Sequence, residues 1–207
     1  MDFIQFYQIH DDGLCDRIIR YFEENSHLHN PGKSGDQTVN LDVKVSTDMQ
    51  FTGPLTSEYS KYLNSFIEQY KAKFVYCDQG QDPWSIWPNV NIQRYRPGEY
   101  YKKLHCERSG GYGSNNRRHL VFMTYLNDVS DGGETLFYYQ NLKVKPKKGL
   151  TLIWPVDWTH THCGLISNFE TKCLFWFISF FTSIKFFIKP SVYTLAYPKF
   201  PYHIYML

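Results

Sequence analysis

The chain has 207 residues, a mass of 24.6 kDa, and 22 Lys plus Arg against 20 Asp plus Glu. That size suits one domain with a core of its own, and a net charge of +2 selects no polyanionic partner. An aromatic content of 18% excludes wholesale disorder, because disordered chains are poor in rings. Five cysteines (Cys15, Cys77, Cys106, Cys163 and Cys173) form no CxxC pair, so no disulfide framework is expected. The start, Met1-Asp2-Phe3-Ile4-Gln5, lacks a basic region followed by an apolar run. Together these predict a cytoplasmic, reducing location. The longest uncharged apolar run, Cys173 to Ile184, is too short for the ~20 residues of a spanning helix, and no transmembrane segment is expected.

The first third reads as helical. Leu14, Ile18, Ile19 and Phe22 fall on one helical face, with Asp11 or Asp12 as N-cap. Tyr59, Leu63, Phe66, Ile67, Tyr70 and Phe74 mark a second helix, with Thr56 or Ser57 as its cap. The polar stretch between them, with Asn30-Pro31-Gly32 and Gly53-Pro54, reads as loops and one short strand around Leu41 to Val45. From residue 86 the pattern changes to short segments rich in β-branched and aromatic residues. Strands are predicted at 89–95, 100–107, 119–126, 134–139, 149–154 and 172–180, separated by turns such as Arg96-Pro97-Gly98 and Asp131-Gly132-Gly133. The fold expected is mainly β with flanking N-terminal helices, a barrel or jelly roll. One domain is expected over 1–182, with helical support in 1–85 and a β core in 86–182. Residues 183–207, rich in aromatics and holding Pro190, Pro198 and Pro201, read as a C-terminal extension.

Two short stretches carry metal-ligand chemistry: His105-Cys106-Glu107 and Thr159-His160-Thr161-His162-Cys163-Gly164. Residues two apart on a strand share a face, so His105 and Glu107 can offer a nitrogen and an oxygen to one ion. A histidine from a second strand would complete two His and one carboxylate, the facial set of non-haem Fe(II) oxygen chemistry. His162 and His160 are rivals for that third position. The HxE tripeptide alone is a weak signal, but its surroundings strengthen it. Lys172 opens the aromatic strand Cys173-Leu-Phe-Trp-Phe, and a buried lysine needs an anion such as the distal carboxylate of a dicarboxylate. Tyr125 could add a hydroxyl to the same carboxylate. Cys106 and Cys163 flank the expected ligands and, by strand alternation, point away from the metal.

The order of these motifs, from Arg94-Tyr-Arg-Pro-Gly-Glu-Tyr-Tyr-Lys-Lys-Leu-His105-Cys-Glu107 through Arg118-His-Leu-Val-Phe-Met-Thr-Tyr-Leu-Asn-Asp and Gly132-Gly-Glu-Thr-Leu-Phe137 to Val144–Trp154, His162-Cys-Gly and Lys172, resembles one family. It is the prolyl-4-hydroxylase-like branch of the Fe(II)/2-oxoglutarate-dependent dioxygenases, matched over Val90 to Phe180. The resemblance implies a double-stranded β-helix of jelly-roll or cupin-like form. It implies Fe(II) on His105, Glu107 and His162, with His162 preferred because His-x-Gly is followed ten residues later by the basic residue. It places the 2-oxoglutarate carboxylate on Lys172 and Tyr125, and lines the co-substrate site with Thr135 and Trp176. Where the family usually has Asp, this chain has Glu107.

The activity implied is hydroxylation of an unactivated C–H bond with O2, releasing succinate and CO2, with ascorbate a candidate reductant. The leading substrate is a prolyl or other amino-acid side chain in a peptide or protein. The alternatives are a nucleobase or small metabolite, and a non-catalytic metal-binding jelly-roll module. Basic residues in 94–118 and at Lys143, Lys145, Lys147 and Lys148 leave nucleic acid as a less favoured partner. The polar, glycine-rich loop Ser109 to Asn116 follows the metal strand and reads as a substrate lid.

Overall fold

A computed structural model describes residues 3–35, 38–80, 83–86, 90–108 and 114–181. The aromatic extension 183–207 lies outside the described residues, as do residues 109–113 of the expected lid. In chain order the elements are β1 (Gln5–Gln8), α1 (Asp12–Glu24), β2 (Asn30–Pro31), β3 (Lys44–Val45), β4 (Thr47–Phe51), α2 (Leu55–Lys73), β5 (Trp84–Ile86), β6 (Val90–Tyr95), β7 (Tyr100–His105), β8 (Arg118–Tyr125), β9 (Thr135–Phe137), β10 (Leu142–Val144), β11 (Leu150–Pro155), β12 (His162–Gly164) and β13 (Lys172–Phe181). They build two antiparallel sheets. The larger runs β1-β11-β8-β13-β6-β4-β2, with β5 added to β13, and the smaller runs β10-β9-β12-β7-β3. This is the double-stranded β-helix, with two helices against the large sheet.

Both helices form where their apolar spacing demands. In α1 the Asp11 carboxylate accepts from the Leu14 amide and caps the first turn. Leu14, Ile18 and Phe22 are then buried on one face. In α2 the buried face is Tyr59, Leu63, Phe66, Ile67 and Tyr70. Its start differs from the expectation. Pro54 stands at the N-cap, and the Thr56 and Ser57 hydroxyls donate back to the Gly53 and Pro54 carbonyls from inside the first turn. Proline fixes the entry φ without needing a side-chain cap.

The first third is not purely helical, because β1 to β4 lie within it. β1 pairs with β11, and β4 pairs with β6. The predicted strand at Leu41–Val45 shrinks to Lys44–Val45, and the longer strand is β4. The predicted 134–139 strand shortens to β9, and a turn leads from it to β10, which pairs back on it.

β13 organises the molecule. Cys173, Phe175 and Phe177 face the helices, where Phe175 packs against Phe51 and Tyr59 with ring centroids 4.8 and 4.5 Å apart. Burying each such ring contributes roughly 1.5–3 kcal/mol. Lys172, Leu174 and Trp176 occupy the opposite face and line the space between the sheets. All five cysteines are free thiols. Among the described residues no helix is long and apolar enough to cross a membrane.

Candidate metal and co-substrate site

The site is built by pairing across the small sheet. In the β12–β7 register His162 lies opposite His105, and His162 also pairs with Phe137 of β9. Glu107 follows just past β7, its amide donating to the Val156 carbonyl at 3.0 Å. Each imidazole is oriented by its own backbone. His105 Nδ1 lies 2.8 Å from the Lys103 carbonyl, and His162 Nδ1 lies 2.9 Å from the His160 carbonyl. A carbonyl only accepts, so Nδ1 carries a proton in both rings and Nε2 is the nitrogen turned toward Glu107.

Those two Nε2 atoms converge on one oxygen. Glu107 Oε1 is 3.5 Å from His105 Nε2 and 3.6 Å from His162 Nε2, and it is buried without a hydrogen-bond partner. Glu107 Oε2 is instead held by Arg118 Nη1 at 3.3 Å, and the same guanidinium nitrogen donates to the Glu107 carbonyl at 2.8 Å. Burial alone would raise the Glu107 pKa. The two histidines and Arg118 outweigh it and hold the carboxyl below its usual value. Burial, with His105 adding to it, lowers His162 to about 4, so its imidazole is neutral at physiological pH. Two imidazoles and an ionised carboxylate, their ligand atoms within 4.8 Å of one another, are a donor set for a divalent metal. A buried carboxylate oxygen with no donor is costly unless a cation meets it, so the residues present fit the ion.

His160 does not join this group. Its side chain is buried beside Thr159, with Nδ1 3.0 Å from that hydroxyl, and its carbonyl orients His162. Cys106 Sγ donates to the Arg108 carbonyl, and Cys163 is buried.

Lys172 stands in the same cavity. It is 4% exposed and forms no ion pair among the described residues. Its ammonium donates to the Gly133 carbonyl at 2.9 Å and sits 4.9 Å from the centroid of the Tyr95 ring. Burial depresses its pKa to about 8. The carbonyl is presented by the Gly132-Gly133 turn, where both residues have positive φ, and a Cβ on Gly132 would come within 2.2 Å of the Ile166 carbonyl oxygen. Only glycine suits that turn. A buried ammonium whose hydrogen-bond partner is a neutral carbonyl has the chemistry to receive a carboxylate.

Thr135 and Trp176 line the cavity with Lys172. Tyr125 is placed differently. It is fully buried behind Thr135, its hydroxyl 2.6 Å from Thr135 Oγ1 and donating to the Val144 carbonyl at 3.2 Å. Two residues given no role from sequence also belong to the site. Arg118 anchors Glu107, and Tyr101 stacks on His105 at 4.1 Å with an interplanar angle of 12°. The alternation Tyr101, Lys103, His105 along β7 could have pointed to Tyr101; the partner of Arg118 could not be read from a basic run.

Residues 90–177 match the family model described as the 2OG-Fe(II) oxygenase superfamily. A probable prolyl 4-hydroxylase 9 of Arabidopsis thaliana is 33% identical over 89 residues, which cover 35% of this chain and 31% of that protein. The match thus spans about a third of the relative's length. Among solved structures, the viral collagen prolyl hydroxylase of Paramecium Bursaria Chlorella virus-1 in its 2OG complex is similar, with a TM-score of 0.66 and 20% identity, covering 86% of this chain and 96% of the other. A prolyl hydroxylase of Trichoplax adhaerens, complexed with a hypoxia inducible factor oxygen degradation domain peptide fragment, gives a TM-score of 0.69 and 14% identity, covering 87% and 84%. At these identities the solved structures show a shared fold.

Proposed function

We propose that this chain, whose residues 90–177 match the 2OG-Fe(II) oxygenase superfamily model, is a 2-oxoglutarate-dependent dioxygenase that hydroxylates a prolyl or related side chain in a peptide or protein. The observation that carries the reading is the buried, partnerless Glu107 Oε1 between two imidazole Nε2 atoms, in one cavity with a buried lysine. His105, Glu107 and His162 would hold Fe(II), and Lys172 would receive the distal carboxylate of 2-oxoglutarate. When bound, the metal and co-substrate supply the oxidising chemistry that protein side chains lack. The prolyl substrate is suggested by the relatives named above.

The chain's own residues have separable tasks. The Lys103 and His160 carbonyls fix which nitrogen of each imidazole is available. Arg118 keeps one Glu107 oxygen occupied and turns the other toward the imidazoles. Lys172 fixes the reach of the co-substrate from the wall of the cavity. Tyr125 acts one step back: its bond to Thr135 holds a hydroxyl that lines the cavity. Phe137 and Trp154 crowd His162, with ring centroids at 5.6 and 5.2 Å, and keep water off its buried edge.

Anaerobic addition of Fe(II) and 2-oxoglutarate should produce the visible charge-transfer absorption of an Fe(II)–keto-acid chelate. Admission of oxygen should then yield succinate. Metal binding without that absorption, in a folded protein, would remove 2-oxoglutarate from the reading and leave a metal-binding jelly roll.

A further inference from the structure

β1 ends the large sheet and β10 ends the small one. Residues of both strands line an open groove of about 570 Å³ that shares no lining residue with the cavity of the triad. Its apolar wall includes Phe6 from β1, Leu142 from β10, Val129 from the loop after β8 and Leu150 from the start of β11. Phe6 pairs with Leu152, a residue of the core between the sheets, so the two side chains share a face. Leu152 is fully buried, whereas Phe6 is 47% exposed. The groove brings Phe6 together with the half-buried Leu142 and Leu150, so this is a contiguous patch and not a scattered residue.

Lysines supply its charge. From Leu142 to Lys147 covered and exposed residues alternate, as on an extended chain: Lys143, Lys145 and Lys147 are exposed, and Val144 and Pro146 between them are buried. All three lysines line the groove, against one carboxylate, Asp128. Asp128 Oδ1 accepts from the Lys148 amide at 2.9 Å, and the Lys148 ammonium is paired with Asp16 at 2.8 Å. Glu170, close by, accepts from the Ser130 hydroxyl at 2.7 Å and the Asp131 amide at 3.2 Å, and its charge attracts Lys145. Lys143 and Lys147 form no ion pair among the described residues. Lysines on an edge strand often serve only to deter strand pairing. That accounts for Lys143, but Lys145 and Lys147 lie past the end of β10, where there is no strand edge to protect.

We propose that this groove is a docking surface for a protein partner, and that its ligand is an extended segment in which acidic and apolar residues alternate. Residues two apart on an extended chain are about 6.6 Å apart on one side. The lysine row and such a segment share that spacing. Successive carboxylates can therefore meet Lys143, Lys145 and Lys147, while the apolar side chains between them cover Phe6, Leu142 and Leu150. Charge sets aside the chain's own extension as the occupant: residues 183–207 hold Lys185, Lys189 and Lys199 and no acidic residue.

The test is fluorescence anisotropy with the full chain and labelled, capped octapeptides. One alternates Glu with Leu, one alternates Lys with Leu, and one has the Glu and Leu residues of the first grouped into two blocks. Vesicles of phosphatidylserine in phosphatidylcholine are the lipid control. The parent should bind the alternating Glu–Leu peptide best, and more tightly at low than at physiological ionic strength. Lys143→Gln combined with Lys147→Gln should weaken that peptide about tenfold, the effect of two exposed ion pairs, with the parent's melting temperature. Phe6→Ser should weaken it as well. Equal affinity in the parent and the double lysine variant, or no binding of the alternating Glu–Leu peptide, would overturn the docking surface. Equal binding of the block peptide or of the Lys–Leu peptide would overturn the alternating acidic ligand. Binding to the vesicles but to none of the peptides would overturn a protein partner in favour of a lipid surface. Self-association abolished by the double lysine change would overturn it in favour of a second copy. The peptide measurement needs neither metal nor co-substrate, so it reads the same whether or not the dioxygenase reading holds.

Discussion

The two faces of the large sheet are made by the same strands yet obey opposite rules. Toward the helices, Met49, Phe51, Ile92, Phe122, Phe175 and Phe177 join Leu14, Ile18 and Leu63 in one apolar cluster. Toward the small sheet, the alternate residues of β13 and its neighbours include Lys172, Trp176, Asn91 and Gln93. One face is saturated by its own contacts. The other leaves the Lys172 ammonium with a single carbonyl, in one cavity with the Glu107 Oε1 beyond β7, which has no hydrogen-bond partner. Period-two alternation lets a ten-residue strand serve both, so stability and chemistry can be separated by substitution on alternate residues.

The largest separation is expected at the metal. His162→Ala should reduce Co(II) affinity by more than about a hundredfold, beyond what losing an outer-shell partner costs. Its melting temperature in the metal-free state should stay near the parent's. Titration calorimetry and a thermal melt on one sample check both. A variant that binds Co(II) like the parent would exclude His162 from the donor set. The reverse pattern is expected from Phe175→Ala on the helix face, at a cost of about 3–5 kcal/mol in denaturant unfolding. Its folded fraction should keep the parent's metal affinity. Loss of metal binding in proportion to stability would mean that the two faces are not independent.

Lys172 should show the conflict between the faces most directly. Burial lowers its pKa from the ordinary 10.5 to about 8 in the folded protein. Between those values the unfolded chain binds more protons, so stability should rise with pH from 8 to 10.5, and below 8 a constant penalty remains. Lys172→Met should therefore stabilise the ligand-free protein at pH 7, by on the order of 3 kcal/mol from the shift alone. That gain should shrink as pH rises through the same window. The same variant should lose 2-oxoglutarate affinity, and in the parent that affinity should fall as pH climbs past 8 and the ammonium deprotonates. Urea unfolding at pH 7 and 9.5, with and without co-substrate, reads all of this. A variant less stable than the parent at pH 7 would show that Lys172 is not a stored cost.

How far the sequence discloses these faces depends on the range over which each feature is determined. α1 and its Asp11 cap are local, and the spacing of Leu14, Ile18 and Phe22 is enough to find them. His105 and Glu107 share a two-residue repeat, and the structure brings His162 beside them through the β12–β7 pairing. The short strands of the first third are different. β1 is four residues long with no apolar alternation, and it exists because β11, about 145 residues later, offers it a pairing edge. β2 has two residues and owes its place to β4. Tyr125 carries the residue type expected of a carboxylate donor, yet Thr135 and the Val144 carbonyl, on strands that a linear reading cannot align with it, take up its hydroxyl.

The smallest effect is also the most discriminating. Arg118 spans the boundary between the two uses of the sheet: it lies at the start of β8, is 9% exposed, and touches both the backbone carbonyl and Oε2 of Glu107. Arg118→Met should weaken Co(II) binding by about 10- to 100-fold, the range for an outer-shell partner of a ligand. Because Glu reaches one methylene further than Asp, Glu107→Asp should draw the carboxylate away from the guanidinium and leave Arg118 bonded to the carbonyl alone. Arg118→Met should then cost clearly less in the Glu107→Asp background than in the parent, and the difference is the coupling energy of the side-chain contact. An equal cost in both backgrounds would place the role of Arg118 at the Glu107 carbonyl. The guanidinium would then be part of the packing that holds the end of β7, and the longer carboxylate would owe its orientation to the imidazoles.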